Sequence, residues 1–206
     1  MWMGVAAAVV ALLFCEYRHY RPGIWLFKPL ASTGFVLAGV QAGALASTEG
    51  RLLLAGLCLS WLGDVLLIPR GSKKVFLTGV LLFLSAHVAY GAGFVLRGVE
   101  ALPTALGTIP FLVAGVWVHR RAKNGVPEIL QKAVIAYIVV ISIMVGLATG
   151  AVAAGAAPLA LVAAIAFATS DISVAIDRFI SPGFQNRLWG LPLYYGAQLL
   201  FVEALL

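Results

Sequence analysis

Long apolar runs separated by short polar breaks dominate the chain. Eight apolar segments follow one another, at residues 1–15, 27–46, 52–69, 75–96, 102–118, 132–152, 157–176 and 188–206. A helix that crosses a bilayer needs about 20 mostly apolar residues, which is close to the length of most of these segments. The runs are continuous rather than alternating, and they are too long for the strands of a membrane barrel. The pattern therefore predicts an all-α, polytopic transmembrane bundle of about eight helices.

The breaks between the segments contain turn-forming residues. Four of them are Arg21-Pro22-Gly23, Pro69-Arg70-Gly71-Ser72, Lys123-Asn124-Gly125 and Ser181-Pro182-Gly183. No connection is long enough for a soluble domain, so we expect residues 1–206 to form a single integral membrane domain. The first segment lacks the basic start of a signal peptide, and we expect it to be a short membrane helix.

Composition excludes the soluble classes. The chain has 206 residues, of which 62% are hydrophobic and 11% are charged. A soluble domain of this length has too little interior to bury so much apolar surface. The net charge of +6 would suggest a nucleic-acid partner in a soluble protein, but here the positive charges lie between the apolar segments. We therefore expect no nucleic-acid partner and attribute the charge to membrane topology.

The positive charges are distributed unequally between the two sides of the predicted bundle. Twelve of the fourteen Lys and Arg residues lie around the breaks that follow segments one, three, five and seven, and the exceptions are Arg51 and Arg97. Because cytoplasmic loops carry an excess of Lys and Arg, these four breaks are predicted to be cytoplasmic. Both termini then lie on the non-cytoplasmic side. A bacterial inner membrane is favoured, and an endoplasmic reticulum membrane is also compatible with this bias.

Two carboxylates interrupt segments that are otherwise apolar. Asp64 lies in LSWLGDVLLIP and Asp171 lies in FATSDISVAIDRF. At 1.5 Å per residue, each is about 7 to 9 Å short of the cytoplasmic end of its helix. An intramembrane charge is costly, and such residues face the bundle interior or a water-filled cavity. We expect both carboxylates to line one polar pocket that is open to the cytoplasmic leaflet.

Other polar side chains come from several segments and could complete this pocket. They are Lys28, Ser60, His87, Tyr90, Tyr137, Ser170, Tyr195 and Gln198. Ser60 precedes Asp64 by four residues and therefore shares its helix face. Each residue also has a purely structural interpretation: helix packing for the carboxylates, snorkelling for Lys28, a packed histidine for His87, and an interface belt for Tyr194 or Tyr195. Their collection on one side favours a shared site.

Two buried carboxyl groups suit acid–base chemistry without a metal. Burial favours the protonated form of a carboxyl group, and a neighbouring carboxylate favours it further. One group can therefore donate a proton while its partner stays ionised and stabilises a developing cation or activates water, as in glycosidases. The three histidines are scattered and no HExxH or GxSxG sequence occurs. We expect no metal and no cofactor.

At these residues the sequence resembles the lysoplasmalogenase family, also called the YhhN family, of eight-helix membrane proteins. The resemblance covers nearly the whole chain and depends on the order and spacing of its parts. These parts are Lys28-Pro29-Leu30, GLCLSWLGDVLL at 56–67, FLTGVLLFLSAHVAY at 76–90, Tyr137, AFATSDISVAIDRF at 166–179 and YYGAQLLF at 194–201.

The resemblance implies hydrolysis of the vinyl ether bond of lysoplasmalogens, which gives a fatty aldehyde and glycerophosphocholine or glycerophosphoethanolamine. It implies a lysophospholipid substrate, membrane lipids as surroundings, and Asp64 and Asp171 as the catalytic pair. The other eight residues are candidate substrate-binding residues. Lys28 is the candidate phosphate partner, with Arg178 and Arg187 as alternatives. Which aspartate is the acid stays open, although hydroxyls beside Asp171 favour it as stabiliser or base.

Three other functions remain open from the sequence. A proton-coupled transporter also uses intramembrane carboxylates, but it needs polar residues on a path to both sides. The predicted outer half is poor in them, and helix six ends in LATGAVAAGAAP. A non-catalytic lipid-binding protein would tolerate neutral replacement of both aspartates. A hydrolase of another ether, ester or amide lipid is the nearest enzymatic alternative.

Overall fold

The fold is helical throughout the part of the chain that the computed structural model describes, residues 1–122 and 124–205. Over these residues there are eight α-helices, a single turn of 3₁₀ helix at Ala44–Ala46, and no strand. The helices are α1 Trp2–Tyr17, α2 Arg21–Gln41, α3 Thr48–Leu66, α4 Lys73–Arg97, α5 Ala101–Ala122, α6 Glu128–Ala153, α7 Pro158–Phe179 and α8 Phe184–Leu205. The predicted all-helical fold is confirmed. Lys123, in a predicted turn, and Leu206, in the last predicted segment, lie outside the described residues.

Five of the described helices are long and apolar enough to cross a membrane: α2, α4, α5, α6 and α7. Helix α1 is apolar but shorter. Helices α3 and α8 are not among the five, and both carry charged or amide side chains within their length, including Asp64 on α3 and Gln198 on α8. Two of the helices that supply the predicted site, α3 and α8, therefore lie outside these five.

Sequential helices pair with each other and then close around a shared core. The largest interfaces are α7 with α8, α3 with α4, α5 with α6 and α1 with α2, while α4 also packs on α6. Helix α8 contacts α1, α2 and α3 as well as α7, so it joins the two halves of the bundle. Large aromatic side chains fill the centre, among them Phe35, Phe94, Phe167 and Phe201. Each of these rings buries a large apolar surface in the core.

The start of α2 differs from the prediction. The apolar pattern placed this helix at 27–46, with Lys28 near its first residue, whereas the helix begins at Arg21 and ends at Gln41. Pro22 lies in its first turn, where the fixed φ of proline suits a helix and the missing N–H has no cost. Gly43 has φ 88° and follows the end of the helix, where this left-handed conformation favours glycine. Lys28 therefore lies about 10 Å inside the helix rather than at its opening.

The ends of α7 and α8 also extend beyond the predicted segments. Helix α7 reaches Phe179 rather than residue 176, and α8 begins at Phe184 rather than residue 188. Asp177 and Arg178 consequently lie in the last turn of α7, and Arg187 lies in the first turn of α8. The apolar pattern missed these helix ends because the terminal turns carry polar side chains. A terminal turn of a helix need not be apolar.

The connections α1–α2, α3–α4, α5–α6 and α7–α8 lie at one end of the bundle, which we call the basic end. Ion pairs join them: Arg187 of α8 contacts Glu16 of α1, and Arg70 after α3 approaches Asp177 of α7. The connections that carry most of the positive charge in the sequence are thus gathered together.

If the basic end is cytoplasmic, a cysteine at Lys73 will be labelled from the cytoplasm and one at Ala154 only from the opposite side. Both positions are exposed and belong to opposite ends of their helices. The measurement is labelling with a membrane-impermeant maleimide in intact and permeabilised cells, with Cys15→Ala and Cys58→Ala as the background. The reverse labelling pattern would show that the charge bias misassigned the orientation.

Candidate active site

A cavity of about 430 Å³ lies inside the bundle and extends to the basic end. Both predicted carboxylates, Asp64 and Asp171, line it. Its inner wall is apolar, with Phe83, Phe111 and Ile141 among the lining side chains. A cavity of this size with a few polar groups on an apolar wall is typical of a small-molecule site.

Asp64 is 2% exposed and is surrounded by donors from two other helices. The Nζ atom of Lys28 lies 3.2 Å from Oδ1. The Ser32 hydroxyl donates to Oδ2 at 2.6 Å, and the Tyr194 hydroxyl donates to the same oxygen at 2.7 Å. A buried ionised carboxylate requires a cation and further hydrogen bonds to offset its lost hydration. Asp64 has both, so its surroundings suit the ionised form.

Tyr195 lies behind this network rather than on the cavity wall. Its hydroxyl donates to the backbone carbonyl of Lys28 at 3.2 Å and lies 3.3 Å from Ser32 Oγ. It is 1% exposed. Tyr195 therefore fixes the stretch of α2 that presents Lys28 and Ser32 to Asp64.

Asp171 has a different set of partners. The Tyr137 hydroxyl donates to its Oδ2 at 2.8 Å, and His87 Nε2 lies 3.1 Å from the same oxygen. His87 Nε2 and the Tyr137 hydroxyl are themselves 2.9 Å apart. The side chain of Asp171 is 18% exposed, against 3% for Asp64. All hydrogen bonds that Asp171 receives from the described residues reach Oδ2, which leaves Oδ1 available to a ligand in the cavity.

His87 contacts Asp171 but does not itself line the cavity. Its ring is buried and lies 4.5 Å from the ring of Phe167, between ring centroids. Its Nδ1 atom is buried and has no hydrogen-bond partner among the described residues. Because an unpaired buried N–H is costly, this environment favours the tautomer with hydrogen on Nε2. In that tautomer His87 donates to Asp171 Oδ2, as Tyr137 does.

The remaining predicted residues are divided between the cavity wall and a deeper layer. Ser170 lines the cavity, but its hydroxyl donates to the backbone carbonyl of Phe167 at 2.7 Å. Tyr90 donates to Gln198 Oε1 at 2.7 Å, whereas Ser60 Oγ is buried and has no hydrogen-bond partner among the described residues. Ser60, Tyr90 and Gln198 do not line the cavity. They form a buried polar layer next to it.

Sequence reasoning did not assign two residues that contact Asp64. Ser32 lies four residues after Lys28 on α2, a spacing that places both on one helix face and that could have identified it. Tyr194 was named only together with Tyr195 and was not among the candidate site residues. The sequence gives no rotation for α8, so it could not show which of two adjacent tyrosines reaches Asp64.

The opening of the cavity at the basic end carries a second charged cluster. Arg187 donates from Nη1 to Glu16 Oε2 at 2.6 Å, and its Nη2 lies 3.2 Å from Asp177 Oδ2. Asp177 Oδ1 also accepts the backbone N–H of Gly183 at 2.9 Å. These contacts tie together the ends of α1, α7 and α8 around the opening.

Comparison with known proteins identifies the family of this chain. The model of the YhhN family matches residues 23–205, and the chain belongs to that family. The predicted family membership is confirmed. One curated relative is lysoplasmalogenase TMEM86A of Bos taurus, which is 27% identical over 183 residues, covering 86% of this chain and 71% of the relative. No solved structure matches the chain significantly. With its membrane-length helices, the chain is a multi-pass membrane protein.

The ion pair of Lys28 with Asp64 should be strongly coupled energetically. Lys28→Met leaves a buried carboxylate without its cation, and we expect a loss of about 3 kcal/mol or more in the free energy of unfolding. Asp64→Asn should have a similar effect by leaving the ammonium unpaired. The double variant should lose much less than the sum of the two single variants.

The measurement is denaturant unfolding of the three variants in detergent, with Lys74→Met as the matched control. Lys74 is exposed at the start of α4, so its replacement should change stability by at most about 0.5 kcal/mol. Simple additivity of the two single changes would show that Lys28 does not compensate Asp64.

Proposed function

We propose that this protein hydrolyses the vinyl ether bond of lysoplasmalogens, with Asp171 as general acid and Asp64 as ionised stabiliser. The observation that carries the proposal is that two carboxyl groups line one cavity but have different partners. Membership of the YhhN family and the name of the bovine relative, lysoplasmalogenase, support the substrate class. From the sequence, the hydroxyls beside Asp171 favoured Asp171 as the stabiliser or base. The contacts of Asp64 support the present assignment instead.

Asp171 has the geometry of a proton donor. Its Oδ2 accepts hydrogen bonds from Tyr137 and His87 Nε2, and unlike Asp64 it has no lysine or arginine within 4 Å among the described residues to hold it in the ionised form. The proton then belongs on Oδ1, the oxygen without a partner among the described residues. Asp171 is also the more exposed of the two carboxyl groups toward the cavity. A positioned acid within reach of the substrate carbon meets the first requirement of general acid catalysis.

The reaction then proceeds without a covalent intermediate. Asp171 Oδ1 donates its proton to the outer carbon of the vinyl ether, and the carbon bound to oxygen becomes an oxocarbenium ion. Water adds to that carbon and returns a proton to Asp171. The hemiacetal collapses with cleavage of its bond to the glycerol oxygen, which takes up the hydroxyl proton. The products are a fatty aldehyde and a glycerophospho-base, and the enzyme ends in its starting protonation state.

Asp64 acts in this reaction as a fixed negative charge. Lys28, Ser32 and Tyr194 hold it in place, so no reorganisation is needed when positive charge develops on the substrate. Preorganised charge directed at a developing ion is usually the largest contribution to catalysis. The role of Lys28 in this proposal is to maintain Asp64 in its ionised form.

The apolar wall and charged opening of the cavity suit a lysolipid. Its single chain lies along the apolar wall near Phe83, Phe111 and Ile141, and its headgroup lies at the basic end with the arginines. Because cytoplasmic loops carry an excess of Lys and Arg, we place that end at the cytoplasmic leaflet, with a bacterial inner membrane as the favoured location. The substrate then enters without leaving its own leaflet.

Replacement of either carboxylate should lower the rate of aldehyde release from a defined lysoplasmalogen by about 10²-fold or more. Asp171→Asn removes the proton donor, and a positioned acid contributes about 10²- to 10⁴-fold to rate. Asp64→Asn removes the stabilising charge, and we expect a loss of about 10²-fold or more. The measurement is aldehyde formation by purified protein in detergent, with choline and ethanolamine headgroups and with or without a chelator.

Glu128→Gln is the matched control, because it removes one exposed carboxylate near the same end of the bundle. It should release aldehyde at the wild-type rate. Activity in a folded Asp171→Asn variant would contradict the assignment of the acid. No aldehyde from folded wild type with either headgroup would contradict the substrate.

Tyr137→Phe should lower kcat about tenfold while leaving KM nearly unchanged. The variant removes one of the two donors to Asp171 Oδ2 but keeps the ring that lines the cavity. Tyr17→Phe, at an exposed position on α1, is the control. A rise in KM at constant kcat would instead indicate that Tyr137 acts only in substrate binding.

A further inference from the structure

We infer that Arg178 and Arg70 form the binding site for the phosphate of the lysolipid headgroup, and that this site sets the distance between the headgroup and Asp171. The inference rests on the proposed function and adds a binding site to it. Lys28 and Arg187, which the sequence also offered as phosphate partners, are already engaged by carboxylates. Lys28 contacts Asp64, and Arg187 contacts both Glu16 and Asp177.

The cavity opening has an excess of positive charge. Among the described residues that line it at the basic end are four arginines and two carboxylates: Arg21, Arg70, Arg178, Arg187, Glu16 and Asp177. Arg187 lies between the two carboxylates and uses both. The excess of two positive charges suits an anionic group such as a phosphodiester.

Arg178 is held in place by contacts that include no direct ion pair with a described carboxylate. Its Nη2 donates to the backbone carbonyl of Leu67 at 2.9 Å, and its guanidinium lies 4.8 Å from the centre of the Phe76 ring. No described carboxylate lies within 4 Å of it, and the attraction of the more distant Asp177 and Glu16 is opposed by repulsion from Arg70 and Arg187. A guanidinium fixed in this way is preorganised for the bidentate recognition of phosphate.

Arg70 is the second donor. It follows α3 in the connection to α4, and its side chain is 49% exposed. Its one ion pair with the described residues is long, with Nη2 at 3.8 Å from Asp177 Oδ2, an oxygen that Arg187 approaches more closely. Arg70 can therefore turn toward a ligand at little cost, since an exposed ion pair of this length contributes little.

The spacing along α7 matches the proposed substrate. Arg178 follows Asp171 by seven residues, so the two side chains share a helix face and are separated by about 10 Å along the axis. In a lysoplasmalogen, seven bonds separate the carbon that accepts the proton from the phosphorus atom, which is about 8 to 9 Å when extended. Phosphate at Arg178 therefore places the vinyl ether carbon beside Asp171.

The test measures binding of lipids that cannot be hydrolysed, so its result does not depend on catalysis. The probes are 1-O-hexadecyl-glycero-3-phosphocholine, which has a saturated ether, and 1-O-hexadecylglycerol, which lacks the phosphate. Affinities are measured by thermophoresis of purified protein in a neutral detergent. The variants are Arg178→Gln, Arg178→Lys and Arg70→Gln, each checked by size-exclusion chromatography and thermal unfolding.

We expect the wild type to bind the phospholipid at least about tenfold more tightly than the neutral ether. Arg178→Gln should remove most of this preference and leave the affinity for the neutral ether unchanged. Arg178→Lys, which keeps the charge but loses the planar fork, should retain part of the preference. Arg120→Gln, an exposed arginine at the same end that does not line the cavity, is the matched control and should behave as wild type.

Equal affinity of the wild type for the two probes, or an unchanged preference in Arg178→Gln and Arg70→Gln, would overturn the inference. Competition identifies the source of the phosphate. Glycerophosphocholine should displace the lipid probe more effectively than inorganic phosphate at equal concentration. Equal displacement by inorganic phosphate would overturn the assignment to a lipid headgroup. Aldehyde release is scored separately, so failed hydrolysis and a failed headgroup site give different results.

Discussion

The compensation of one buried carboxylate is the constraint on which the rest of the site depends. Asp64 is almost completely buried on α3, and its charge is offset by Lys28 and Ser32 from α2 and by Tyr194 from α8. A buried ion pair contributes little net stability, but breaking it is costly, so it fixes the three helices relative to each other. The same contacts that preserve the charge therefore shape one wall of the cavity.

The second carboxylate shows how surroundings separate the roles of identical side chains. Asp171 has no lysine or arginine within ion-pair distance among the described residues, and its donors, His87 and Tyr137, converge on a single oxygen. Pairs of titratable groups with unlike surroundings are a common basis for acid and base assignment. Here the difference arises because α2 supplies a lysine to one carboxylate, whereas α4 and α6 supply a histidine and a tyrosine to the other.

The positive charges at the basic end have two uses, which are membrane orientation and, in our proposal, binding of the lipid phosphate. Lys and Arg in short connections orient membrane proteins, and this requirement depends on their number rather than on their exact placement. The bundle gathers some of those arginines around the cavity opening, where Glu16 and Asp177 offset only part of the charge. Placement then matters, because Arg178 is fixed on the same helix as Asp171 and a lysolipid carries its phosphate at a set distance from its ether.

The sequence by itself determined the helical membrane architecture, the family and the presence of two carboxylates within apolar segments. Long apolar runs, short motifs and intramembrane charges are all local features of the chain. It misplaced the start of α2, since Pro22 looked like a break although proline is favourable in a first helical turn. It also missed Ser32 and Tyr194, and it offered Lys28 as a phosphate partner. Only the tertiary structure decided these contacts, because they join residues more than 30 positions apart and depend on the rotation of each helix about its axis.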